Sequence, residues 1–169
     1  VAMGTSNGLQ LGLLNFTRDT SAVKVGLVNL TPATRVQLLL FGGNVTKSNL
    51  AVRFLNHHFY TLLGFGLYYR GLDDRFSGAL YYRAGYRVNV ARRLALSGDL
   101  GLAHIEDAPA GTEQMEERRL GIQARLNVEM QISPRFSFFA TGGWGRAHRY
   151  GHFRDGQRKA IAEMGLMFF

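Results

Sequence analysis

Apolar residues recur at every second position through most of the chain. Between 76 and 90, Phe76, Leu80, Tyr82, Tyr86, Val88 and Val90 take the even positions, while Ser77, Arg83, Gly85, Arg87 and Asn89 take the odd ones. Side chains two apart share one face of a strand, whereas a helix would mix the two sets. The stretch 118–132 divides most cleanly. Leu120, Ile122, Leu126, Val128, Met130 and Ile132 oppose Arg119, Gln123, Arg125, Asn127, Glu129 and Gln131. Leu94, Leu96, Leu100 and Leu102 likewise oppose Ser97, Asp99 and Gly101, and Leu63, Phe65 and Leu67 oppose Gly64, Gly66 and Tyr68. These runs exceed the ~5–6 residues of a mean soluble strand and reach the ~9–11 that a tilted strand needs to cross a bilayer.

Connections alternate in length. Asn89-Val90-Ala91-Arg92-Arg93 and Ser133-Pro134-Arg135 are tight, whereas 107–117 and 150–157 are longer, polar and glycine-containing. Short turns at one end and long loops at the other are the habit of membrane barrels. The first third carries an internal likeness: Leu9-Gln-Leu-Gly-Leu-Leu-Asn-Phe-Thr17 matches Val23-Lys-Val-Gly-Leu-Val-Asn-Leu-Thr31, with a degenerate third copy at 36–42. A small solenoid would want at least three good copies, so these segments are read as short strands of the same sheet. The expectation is an all-β, antiparallel, up-and-down transmembrane barrel spanning 1–169 as one domain. It has about ten strands, at 8–16, 22–30, 35–43, 48–56, 58–70, 76–90, 94–106, 118–132, 135–148 and 158–169. Eight strands result if the Asn56-His57-His58 turn is a continuous strand or a bulge.

Composition narrows the class. Hydrophobic residues make up 46%, which excludes disorder, and 21 Gly against 3 Pro suits many short connections. Cys is absent, so disulfides, thiolate metal sites and thiol catalysis are excluded. Net charge is +8, and the bases are almost all Arg, with Lys only at 24, 47 and 159. Arg favours planar, bidentate pairing with carboxylate or phosphate. No basic tail or helix is present, so nucleic acid is not an expected partner. No run approaches the ~20 apolar residues of a membrane helix. Val1 opens no charged region followed by an apolar stretch, as expected of a soluble chain or of an exported one already cleaved.

Alternation also fits a soluble barrel with its apolar side inward. The polar face decides against that here, because between its charges it is small: Gly64, Gly66, Ser77, Ala79, Gly85, Ser97, Gly101 and Gly121. A narrow interior requires small residues and a wet surface does not. The same face offers charges of both signs. Arg53, Arg83, Arg87 and Arg125 are expected to meet Asp99, Glu129 and Glu163 in an interior charge network, since buried charges persist when paired. Phe65, Leu67, Tyr82, Tyr86, Leu126 and Met130 are then expected to face lipid. Tyr68, Tyr69, Tyr81, Tyr82, Tyr150, Phe136 and Phe138 are expected to form interfacial girdles.

Long alternating strands, tight turns carrying Pro-Arg or Ala-Arg-Arg, and the ending Leu166-Met167-Phe168-Phe169 resemble the bacterial outer-membrane β-barrel proteins, chiefly over 58–169. The resemblance implies residence in the bacterial outer membrane, contact with its lipid and lipopolysaccharide, and handling by the barrel-assembly machinery. It also implies an assembly signal in the terminal aromatics Phe168 and Phe169. Other outer-membrane proteins are possible partners. The 23–29 segment is similar to the Gly-Leu-Val-Asn surface repeats of some exported bacterial proteins. The family pattern would turn Phe169, Met167 and Glu163 to lipid, and a carboxylate there costs ~2 kcal/mol or more. The other register turns Met164, Leu166 and Phe168 outward and Glu163 inward, and is preferred.

Little catalytic chemistry is legible. His57, His58, His104, His148 and His152 lack helical metal-ligand spacing, so neither metal nor cofactor is expected. Lipid A deacylases are small barrels with a His and a Ser two apart, but His148-Arg149-Tyr150 places Tyr where the nucleophile belongs. Asn-x-Thr at 15, 29 and 44 reads as strand-end chemistry. The expected role is a non-enzymatic structural or accessory barrel. A narrow anion-preferring channel is the alternative, and a lipid-modifying enzyme a more distant one.

Overall fold

The computed structural model describes residues 2–3, 9–11, 14–16, 23–25, 28–69, 77–107, 118–149 and 152–169. Five short strands come first: β1 (Ala2–Met3), β2 (Leu9–Leu11), β3 (Leu14–Phe16), β4 (Val23–Val25) and β5 (Val28–Leu30). Eight long strands follow: β6 (Arg35–Gly43), β7 (Thr46–Asn56), β8 (Phe59–Tyr69), β9 (Ser77–Ala91), β10 (Leu94–Asp107), β11 (Arg118–Ser133), β12 (Phe136–Arg149) and β13 (His152–Phe168). Strands β6 to β13 pair antiparallel with their chain neighbours, and β13 returns to β6 to close an eight-stranded barrel. No helix among the described residues is long and apolar enough to cross a membrane, which leaves open a crossing by strands.

The wall obeys the alternation. Along β11, Leu126 is 74% exposed while Glu129 is 4% exposed. Leu80, Leu100, Ile122, Trp144 and Met164 also point out of the barrel, and Ser97, Asp99, Arg125 and Asn127 point into it. That is the inverse of a barrel built for water, whose apolar set would be inside. In β13, Met164, Leu166 and Phe168 are outward and Glu163 inward, the register that spares a carboxylate from the outer face.

Three expectations need correction. The barrel has eight strands, the lower of the two expected counts, and the two that ten would add are missing at the N-terminus rather than at Asn56-His57-His58. His57, at a φ of 54°, makes a true turn between β7 and β8, whereas the described residues of 8–16 and 22–30 do not pair in the wall. They break into three-residue strands that stack in parallel: Leu9 to Val23 and Leu11 to Val25 in one sheet, Leu14 to Val28 and Phe16 to Leu30 in another. The stacking offset equals the spacing of the sequence repeat, so the solenoid-like arrangement that the low copy number argued against is the one adopted locally. The third copy, at 36–42, is a barrel strand instead.

Tyr69 and Tyr81 are the second correction. Both lie inside the barrel, 5% and 7% exposed, rather than in an interfacial girdle. Tyr81 sits on the inward parity of β9. Tyr69 is turned in by Tyr68, whose φ of 57° reverses the parity at the end of β8 and leaves Tyr68 outside. The third concerns 150–157: β13 begins at His152, so most of that supposed loop is strand. The loop expected at 107–117 and Tyr150 lie outside the described residues, apart from Asp107, which ends β10.

The tight turns His57–His58, Arg92–Arg93 and Pro134–Arg135 share one end of the barrel, here the turn side. The N-terminal stack joins at that end. Thr31 and Thr34 hydroxyls both donate to Asn56 Oδ1, at 3.1 and 2.5 Å.

Candidate functional site

The inward side chains fill the barrel in tiers. On the turn side, Glu129 of β11 is the hub. Arg53 of β7 donates Nη1 and Nη2 to its two oxygens at 2.6 and 3.1 Å. Arg87 of β9 donates Nε at 2.9 Å, and Ser97 of β10 donates its hydroxyl at 2.9 Å. Arg53 also donates Nε to Gln37 of β6 at 2.7 Å and lies over the Tyr60 ring at 5.0 Å. The middle tier is neutral apart from Asp99, whose Oδ2 accepts from Tyr60 at 2.7 Å and from Asn127 at 2.9 Å. Thr141 donates to Asn127 at 2.6 Å.

The tier nearer the long connections is more aromatic. Glu163 of β13 accepts from Arg125 Nη2 at 3.1 Å and lies 3.6 Å from Arg83 Nη2. Arg83 is stacked over Tyr81 and Phe41, at 4.5 and 5.2 Å to their centroids. Phe41 meets Tyr81 and Phe139 edge to face, at 6.2 and 5.6 Å. Polar satisfaction is thinner here: Arg83 Nε, Arg125 Nε and Nη1, and Glu163 Oε2 lack hydrogen-bond partners. The seven charged residues singled out from the sequence therefore fall into two ion-pair groups, Arg53 and Arg87 with Glu129, and Arg83 and Arg125 with Glu163. Asp99 is held by neutral donors.

Sequence reading missed the inward rings Phe41, Tyr60 and Phe139 and the polar links Gln37 and Thr141. A usable signal was present. Large inward side chains sit opposite glycines on the neighbouring strand: Tyr81 faces Gly64, Tyr60 faces Gly85 and Phe41 faces Gly165. Arg125 faces Gly143, Arg83 faces Gly101 and Glu163 faces Gly43 in the same way. A Cβ at Gly64 would lie 2.6 Å from the Tyr81 ring, so the small residue makes room for the large one.

Phe168 is outward and stacks with Phe136 at 6.4 Å, and Phe169 N donates to Arg135 O at 3.0 Å. A cavity of about 480 Å³ opens on the turn side, lined by Arg35, Arg87, Arg92, Arg93 and Gln131, with Glu129 in its wall. Among the described residues no three metal-ligating side chains converge. His58 Nδ1 lies 3.0 Å from Arg87 O, and His104 Nε2 lies 3.3 Å from Glu106.

No protein-family model matches the chain, and no curated protein matches it in sequence. Two solved structures are similar in fold. The N-terminal β-barrel domain of Pseudomonas aeruginosa OprF matches at a TM-score of 0.52 with 17% identity, over 79% of this chain and 93% of that one. Neisserial surface protein A matches at 0.48 with 10% identity, over 79% and 92%. The first of these likenesses supports the closed barrel architecture, and at that identity it speaks for the fold alone.

Proposed function

We propose that this chain is an integral barrel of the bacterial outer membrane, serving as a non-enzymatic structural or accessory component of the envelope. One observation carries the reading: the outer wall carries an apolar band, while arginine and glutamate side chains are sealed inside. Val36, Leu38, Leu40, Leu96, Leu126, Val128, Met130 and Leu166 are all exposed, and Arg53, Arg83, Arg125, Glu129 and Glu163 are all buried. Exposed apolar patches beyond a few hundred Å² are rare on soluble monomers, and a barrel whose apolar band faces acyl chains removes the difficulty. Lipid and lipopolysaccharide are then the immediate surroundings. Phe168, which ends β13, and Phe169 beside it would be read by the assembly machinery, and other envelope proteins would meet the loops or the N-terminal stack.

Interior filling supports a plugged barrel over a pore. The Arg53–Glu129 pair and the rings of Phe41, Tyr81 and Phe139 occupy tiers on either side of the polar middle one, and eight strands leave room for side chains and little else. The arginine-lined mouth on the turn side favours anions as the second reading, with Arg83, Arg87 and Arg125 as the selective charges. Two measurements test this. Folded protein in detergent should show heat-modifiable gel mobility with β-type circular dichroism. In planar bilayers it should pass no steady current, and sustained anion-selective conductance would replace the plugged barrel with the channel. A chain that stays folded and monomeric in plain buffer refutes both.

A further inference from the structure

The outer wall departs from its apolar pattern where two arginines face each other across β12 and β13. Arg146 of β12 and Arg158 of β13 are direct cross-strand partners, and both are exposed on the outward face. Like charges opposite one another on a sheet repel. Neither forms an ion pair or hydrogen bond among the described residues, and the row they occupy continues to Ile122 on β11. By contrast Arg118, also on the outer face, meets Glu106 at 3.2 Å. The pair lies on the side away from the tight turns, at the upper limit of the apolar band.

Immediately beneath comes Trp144, opposite Ala160, and then Gly142, opposite Ala162. The wall runs low there: a Cβ added at Gly142 would meet nothing within 4 Å. Leu126 and Met164, both exposed, stand on either flank. Two guanidinium groups, unpaired among the described residues, therefore surmount a shallow apolar trough, with an indole between them at the depth where aromatic rings sit in a membrane interface.

We infer that Arg146 and Arg158 bind the phosphate of a lipid headgroup on the outer wall, with an acyl chain lying in the trough over Gly142, Ala160 and Ala162. The inference rests on the reading that this wall faces lipid. Charge complementarity selects the ligand. Arg forms bidentate hydrogen bonds with phosphate, and an anion between the two side chains converts their repulsion into attraction for a third group. A phosphorylated glycolipid of the lipopolysaccharide type, on the loop side of the barrel, supplies both halves.

The test uses the full chain in maltoside micelles and lipid A bearing two phosphates, with bound lipid counted by native mass spectrometry. One lipid should be retained per barrel. Arg146→Ala with Arg158→Ala should weaken retention about tenfold or more, and phosphate-free lipid A should bind the wild type as weakly. Gly142→Leu, which fills the trough and leaves the charges alone, should also reduce retention. Arg92→Ala with Arg93→Ala, at the opposite end, should leave it unchanged. Undiminished retention by the Arg146/Arg158 variant overturns the site, and so does displacement of the lipid by an equal concentration of inorganic phosphate. Heat-modifiable mobility is read on each sample. Its absence from the wild type refutes the membrane reading, whereas a folded barrel that keeps its lipid without these arginines refutes the site alone.

Discussion

Arg53 and Glu129 reach across the lumen from β7 and β11, strands that are not neighbours in the wall, and join through two hydrogen bonds of 2.6 and 3.1 Å. The pair ties opposite sides of the cylinder together, and both partners are buried. Desolvating two charges costs several kcal/mol, so such a pair adds little net stability, yet losing one partner strands the other. Glu129→Leu should therefore destabilise the barrel by about 3–5 kcal/mol. Adding Arg53→Met should recover most of that loss, because Arg87 is partly exposed and still has Asn89 at 2.6 Å. Urea titrations of micelle-bound protein, followed through the single tryptophan, Trp144, would measure both. A double variant no better than Glu129→Leu contradicts this account of the pair.

The lipid-facing wall makes a depth-dependent prediction. Leu126 is the most exposed large apolar residue among the described residues and lies mid-strand, whereas Val90 lies at the turn-side rim. Leu126→Arg should cost about 2–4 kcal/mol and Val90→Arg at most about 1. On a water-exposed wall both would stay within about 0.5 kcal/mol. Equal, small effects in the same urea titration would argue for a soluble barrel.

Glycine opposite a large inward side chain implies coupling between the two. Gly64→Ala should cost about 1–3 kcal/mol, since its new Cβ meets the Tyr81 ring and Ala51. In a Tyr81→Ala background the same change should cost markedly less. A double-mutant cycle with no interaction energy would show that the glycine answers to something other than the ring.

Asn56 holds the N-terminal stack to the turn side by accepting from Thr31 and Thr34. Asn56→Ala should remove about 1 kcal/mol per hydrogen bond and make the chain before residue 35 more sensitive to limited proteolysis. The barrel's thermal midpoint should hardly move. A drop in that midpoint equal to the loss of protection would mean that stack and wall unfold as one.

The parts of the fold legible in the sequence were those governed by one local rule. Period-two alternation set the strand type, the inward or outward parity of β9 to β13, and the pairing partners available to Glu129 and Glu163. Strand number was less legible, because Leu9–Leu11 and Leu14–Phe16 alternate locally like any strand. Their partners are chosen by a fourteen-residue offset rather than by a hairpin turn. Ring placement failed for a different reason. A tyrosine suits an interface and a lumen equally, and only the glycine across the sheet separates the two. At Tyr68 a single left-handed residue moves its successor from one side of the wall to the other, and no composition rule announces that. Arg146 and Arg158 were visible as letters, but their opposition depends on the β12–β13 register.

The wall is bonded unevenly around its circumference. β10 and β11 pair from Leu94 with Met130 to Glu106 with Arg118, whereas β13 and β6 pair only from Phe168 with Leu38 to Glu163 with Gly43. A cylinder laced so lightly along one line breathes there first. Amide protons of β6 should exchange ahead of those of β11, and a pulling force should part the barrel like a zip along that line before any other junction yields.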